Sequence, residues 1–124
     1  MRVLTRASTV GIYVSDQDRA LDFYTSKLGF EKLTDDPVGG GARWIEVAPQ
    51  GAETHLVLFT PPGQEDRIGT FSNVVFSCDD IEGTYEELKE RGVEFTEGPS
   101  EQSWGMWAQF RDQDGNEFGL IERG

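Results

Sequence analysis

Few side chains in this sequence of 124 residues can move a proton, hold a metal or attack a substrate. His55 is the only histidine, the residue that metal binding or acid–base chemistry near neutral pH recruits first. On a strand spanning 54–60 it is one residue out of step with Leu56 and Leu58. If Leu58 faces a ligand, His55 therefore points to the other side of the sheet and reads as a surface or edge residue. Glu46, Glu53 and Glu117 are carboxylates beside strands. Charged groups seldom stay buried unpaired, so a rim position is the plain expectation for each. Glu46, on the same face of its strand as Trp44, is the best of the three for acid–base work or for contacting a cation. Cys78 precedes a helix N-terminus, where the dipole favours a thiolate. Its alternation with Val74 and Phe76 puts it on a helix-packed face with no histidine in its half of the chain, so it reads as a structural cysteine. Trp104, Met106 and Trp107 crowd one stretch, with Gln109 following. Trp104 and Met106 share one face and Trp107 and Gln109 the other, so at least one indole lines whichever face meets a ligand. Asp112, Asp114 and Asn116 space their oxygens like the start of a calcium loop, but the loop's glycine and closing glutamate are missing, which leaves a hairpin turn.

The elements that position these groups are repeated. Val10, Ile12 and Val14 alternate as a strand, Ser15 and Asp16 can cap a helix, and apolar residues at three-and-four spacing follow until Gly29. Val74, Phe76, Asp79, Tyr85 and Leu88 repeat Val10, Ile12, Ser15, Leu21 and Tyr24 at one constant offset. The offset shortens by one residue where Gly92 answers Gly29. The first copy continues with a short strand at 30–33, a break through Asp35, Asp36, Pro37 and the glycines 39–41, and strands at 42–47 and 54–60. The second restarts at Phe71 with a strand at 73–78. A helix at 81–91, a strand at 93–96, a loop around Gly98, Pro99 and Ser100, and strands at 104–110 and 117–121 complete it. The expected fold class is α+β, two tandem β-α-β-β-β modules at 3–60 and 71–122 joined by a polar, proline-stiffened linker at 61–70, within one domain, 1–124. A module's single helix shields one face of its sheet. Two modules set side by side, or exchanged between two chains, leave the unshielded faces as a curved mixed sheet around a shared cleft, a place for ligands.

Eleven basic against 23 acidic residues give a net charge of −12, which repels polyanions and argues against nucleic acid as a partner. The single cysteine allows no internal disulfide, and no apolar run approaches a membrane span. A soluble cytoplasmic protein with no membrane partner is the expectation.

Two runs carry a resemblance to a known family: IYVSDQDRALDFYTSKLGF, residues 12–30, and FRDQDGNEFGLIE, residues 110–122. The chain resembles the vicinal oxygen chelate superfamily, which includes glyoxalase I, extradiol dioxygenases, fosfomycin resistance enzymes and bleomycin-binding proteins. Its metalloenzymes hold a divalent ion with His, Gln or Glu from four strands. The resemblance puts those positions on Thr9, Leu58, Asn73 and Gly119, none of which is a usual ligand. It therefore implies a member with no metal and no cofactor, which sets glyoxalase and dioxygenase chemistry in doubt.

The expected function is binding, or sequestration, of an aromatic or cationic small molecule in a metal-free cleft. Thr9, Tyr13, Trp44, Glu46 and Leu58 would line it from the first module and Asn73, Trp107, Gln109 and Gly119 from the second. A glyoxalase-like lyase or isomerase acting on a small carbonyl substrate, with Glu46 or Tyr13 as acid or base, is the alternative. A metalloenzyme with displaced ligands such as Glu46, His55 and Glu117 is a third reading. The unshielded faces also predict a homodimer.

Overall fold

Each half of the chain folds by pairing its first strand with its last. The computed structural model describes residues 1–70 and 72–123, the last of these for its backbone only. Chain contacts divide it into two units, Met1–Asp66 and Arg67–Gly124. In the first, β1 (Thr9–Ile12) leads to helix α1 (Gln17–Asp22), which runs straight into a π-helical turn (Phe23–Lys27). Strands β2 (Glu31–Gly39), β3 (Ala42–Ala48) and β4 (His55–Leu58) follow. In the second, β5 (Val75–Ser77), α2 (Ile81–Glu90), β6 (Glu94–Gln102), β7 (Gly105–Arg111) and β8 (Glu117–Arg123) repeat the order. The sheets run β1-β4-β3-β2 and β5-β8-β7-β6, each with one parallel pair, β1 with β4 and β5 with β8. The architecture is α+β, two β-α-β-β-β units, as the repeat predicts. The expected restart of the second module at Phe71 lies outside the described residues.

The helices begin and end where side-chain chemistry says they should. Asp16 and Asp80 are the N-caps, each accepting a backbone N–H three residues on, from Arg19 and Gly83, both at 3.1 Å. Asp16 is one of the two caps expected in the first copy, and Asp80 answers it at the offset of the repeat, one residue after the Asp79 that answers Ser15. Gly29 and Gly92 close the two copies with φ of 76° and 91°, a region that costs glycine little. The extra residue in the first copy has a visible home. Leu28 N–H reaches back to the Phe23 carbonyl at 3.1 Å, so one turn is widened to five-residue spacing. A π turn is how an inserted residue is absorbed without breaking a helix.

Two expected loops are strand instead. Residues 31–39 and 94–102 each form one long edge strand, where the sequence pattern suggested short strands at 30–33 and 93–96 followed by loops. Register shifts bracket the prolines, between Pro37 and Gly39 and between Glu97 and Ser100. A bulge on an edge strand leaves the missing proline N–H without a ladder partner to disappoint, which is why the strand continues. Gly40 and Gly41, with φ of 63° and 82°, then make the two-residue turn between β2 and β3, where both central residues need positive φ.

Burial sorts the two faces of each sheet. Ile12, Leu56, Leu58, Ile45 and Val47 share one face of the first sheet by register and are all buried, as are Ala20, Phe23 and Tyr24 from the helical segment. In the second unit Ala108, Phe110, Phe118 and Leu120 are buried in the same way, and the half-buried Phe76 stacks on Phe110 at 6.1 Å. Each large side chain so buried contributes about 1.5–3 kcal/mol.

The turn between β7 and β8 is locked by two buried polar residues. Asp112 Oδ1 accepts the backbone N–H groups of Asp114 and Asn116, and its Oδ2 accepts Asn116 Nδ2–H, all at 2.9 Å. Asn116 Oδ1 accepts the Gly69 N–H at 3.1 Å, tying the incoming chain to the turn. Replacing Asn116 by Ala leaves buried partners unmet and should cost about 1–3 kcal/mol in urea unfolding. Asn116→Asp should cost more, because it sets a second carboxylate against Asp112.

Candidate functional site

The open face of the second sheet is the better-formed of the two. Register places Val75 beside Gly119 on β8 and Gly119 beside Gln109 on β7, while Trp107 pairs with Ile121 and Arg111 with Glu117. Side chains opposite one another share a face, so Trp107, Gln109, Glu117 and Gly119 look the same way. Together with Ser72, Asn73 and Thr70 they line a pocket of about 270 Å³. Trp107 is therefore the indole that lines it. Trp104, 47% exposed, stands edge-on to Trp107 with centroids 6.5 Å apart.

Gly119 is what allows that indole to lie where it does. A methyl group built on Gly119 would fall on Cη2 of Trp107 and lie 2.7 Å from Cζ3. The ring occupies the space a side chain at 119 would need. Around it, no hydrogen bond among the described residues occupies the side-chain amides of Asn73 and Gln109. Glu117 is the charged group in the lining, 3.4 Å from Arg111 Nε, while Arg111 Nη1 reaches Glu94 at 3.3 Å.

The first sheet repeats this register with different chemistry. Glu46 pairs with Val57, and Val57 with Gly11, as Gln109 pairs with Gly119 and Gly119 with Val75. Trp44, Glu46, His55, Val57 and Thr9 thus hold the positions that Trp107, Gln109, Glu117, Gly119 and Asn73 hold in the second sheet. Trp44 Nε1–H donates to Glu46 Oε2 at 2.9 Å, and Glu46 Oε1 lies 2.7 Å from His55 Nδ1. The hydrogen bonds from His55 and then Trp44 hold the Glu46 carboxyl below the usual carboxylate range, against the opposing effect of burial. Trp44 leans on Phe59, centroids 5.7 Å apart. Tyr13 follows β1 on the same face as Gly11, where its ring is the nearest side chain.

This register corrects two expectations. Leu58 is in register with Ile12 and fully buried on the helix-packed face, so it does not share a face with Thr9. The position matching Gly119 is Val57, one residue earlier, and a slip of one residue reverses the face. His55, expected to point away, consequently lies on the open face beside Glu46. Glu53 is exposed in the turn before β4. Cys78 is half-buried, its thiol facing the Ile121 carbonyl at 3.6 Å, and burial pushes its pKa up, the reverse of an activated nucleophile.

The residues present do not fit the family's divalent ion. Thr9, Val57, Asn73 and Gly119 offer one hydroxyl and one amide where a stable site wants three or four strong donors. The Trp107 ring also covers the last of these positions. Among the described residues no three His, Cys, Asp or Glu side chains gather as ligands would.

A repeated β-α-β-β-β unit whose helix leaves one sheet face open defines the class. The chain belongs to the Glyoxalase/Bleomycin resistance protein/Dioxygenase superfamily, whose family model matches residues 6–120. It is similar to the uncharacterized protein YetH of Bacillus subtilis strain 168, with 44% identity over 120 residues covering 97% of this chain and 100% of that one. Among solved structures it resembles TnmS3, an antibiotic binding protein from Streptomyces sp. CB03234, at 37% identity and a TM-score of 0.89 over 100% of both chains. A superfamily member from Sphaerobacter thermophilus DSM 20745 is similar at 38% identity and a TM-score of 0.90, covering 98% of this chain and 100% of that one.

Gly119→Ala should expel the Trp107 ring, lower stability by about 1–3 kcal/mol, and change both the tryptophan fluorescence and the near-ultraviolet circular dichroism. An unaltered tryptophan signal would contradict the packing described. The Glu46 contacts give a pH dependence of fixed sign. Because the folded-state pKa is depressed, their contribution is present above the ordinary carboxylate value of about 4.5 and is lost as pH falls through and below it. Chemical denaturation between roughly pH 6 and pH 3 should show wild type losing more stability than Glu46→Gln. Asp35, whose carboxyl is also held low by its hydrogen bond to Arg43, titrates alike in both proteins and cancels from the comparison.

Proposed function

We propose that this protein binds a planar aromatic small molecule, neutral or cationic, without the help of a metal ion. The observation that carries the reading is the Trp107 indole laid across Gly119 on the wall of a pocket of about 270 Å³. An indole face stacks on planar rings and attracts cations, and the amides of Asn73 and Gln109, unoccupied among the described residues, supply orienting hydrogen bonds. Glu117 and a net charge of −12 favour a positive ligand over an anion. The likeness to an antibiotic binding protein over the whole chain supports sequestration of such a compound as the physiological role. The protein works as a homodimer in this reading, since a two-fold pair is the commonest closed assembly.

A panel of planar aromatic compounds, read by tryptophan fluorescence, tests the proposal. Binding should survive a chelator, weaken with salt for charged members, and fall by about 1–3 kcal/mol in Trp107→Ala. Circular dichroism must show the variant folded. A preference for phosphates or glutathione-like anions, or a folded Trp107→Ala protein of unchanged affinity, would refute it.

A further inference from the structure

On the first sheet, His55 is held like a proton acceptor. Glu46 spends one oxygen on the Trp44 indole N–H at 2.9 Å and the other on His55 Nδ1 at 2.7 Å. An ionised carboxylate has no proton to give, so the hydrogen in the shorter contact sits on the imidazole Nδ1. That fixes the neutral ring's tautomer and leaves Nε2, on the side of the ring away from Glu46, as an acceptor with a free lone pair. No described residue donates to it. The His55 side chain is 27% exposed, and beside it on β1 that face carries Thr9 in register, then Gly11, which has no side chain. Two strand positions from Glu46, Trp44 is 36% exposed, with its N–H already engaged, so its ring faces are what it can offer.

We propose that the open face of the first sheet recognises hydroxylated aromatic compounds, the ring meeting Trp44 and the phenolic hydroxyl donating to Nε2 of His55. A phenol matches both groups at once, because its hydroxyl lies in the plane of the ring that stacks, and its acidity makes it a strong donor to a neutral imidazole. Glu46 is the positioning residue: it touches no ligand but sets which imidazole nitrogen accepts. The proposal rests on the reading that planar aromatic molecules are what the protein takes, and it adds the polar group that selects among them.

The probes are 2-naphthol and 2-methoxynaphthalene, alike in ring but not in donor, at a pH where the imidazole is neutral. As the only histidine, His55 accounts for every imidazole signal in a nitrogen-15 spectrum. The free protein should show the Nδ1–H tautomer. 2-Naphthol should bind about tenfold more tightly than the ether and move the Nε2 resonance, which the ether should leave in place. His55→Phe should bind both probes equally. Glu46→Gln, whose amide can donate to Nδ1 and so put the ring proton on Nε2, should also lose the preference. An Nε2–H tautomer in the wild-type free protein, or a preference for naphthol that survives in His55→Phe, overturns the proposal. Equal wild-type affinity for the two probes overturns hydroxyl recognition alone, whereas failure of both probes to bind overturns the aromatic-ligand reading with it.

Discussion

Both open faces depend on the parallel pairing of each unit's first strand with its last. A parallel pair cannot be closed by a tight hairpin, so the chain must cross over, and in each unit the crossover begins with the helix that covers one side of the sheet. Once Thr9 is set beside His55, and Val75 beside Gly119, the two-residue period of a strand dictates which side chains go under the helix and which stay on the other face. Moving β4 or β8 by one residue would bury His55 or Glu117 and turn Leu56 or Leu120 outward.

Within that frame the two units have kept a scaffold and diverged in chemistry. Each has an aspartate N-cap, a glycine at the helix end, a bulged edge strand passing a proline, and a tryptophan two positions before the residue facing Val57 or Gly119. Beside the tryptophan stands Glu46 bonded to His55 in one unit, and Gln109 near Glu117 in the other. The first arrangement spends its polar groups on one another and leaves one imidazole nitrogen over. The second leaves its amides available and uses a missing side chain to seat an indole.

Much of the scaffold could be read from residue types. Caps, glycine stops and apolar spacing marked both helices because those signals are local and each has a direct physical cause. The long edge strands were hidden because Pro37 and Pro99 break strands in general, and only the sheet order shows that they lie on edges. The face of His55 was misjudged for a different reason. Leu56, Val57 and Leu58 are all apolar, so the run carries no alternation from which to read phase, and only the pairing of Val57 with Glu46 supplies it. Which tryptophan meets the pocket was likewise a matter of cross-strand pairing. The contact between Trp107 and Gly119 joins residues on neighbouring strands, and nothing in either residue's own neighbourhood announces it.

The seat that Gly119 provides for Trp107 has a consequence for how such proteins change trade. A coordinating side chain at 119 and the Trp107 ring as it lies claim the same volume, so the first cannot be added without displacing the second. A stacking protein that drifted toward metal chemistry would have to shrink or swing out residue 107 as it gained a ligand at 119. In between it would have neither platform nor ion.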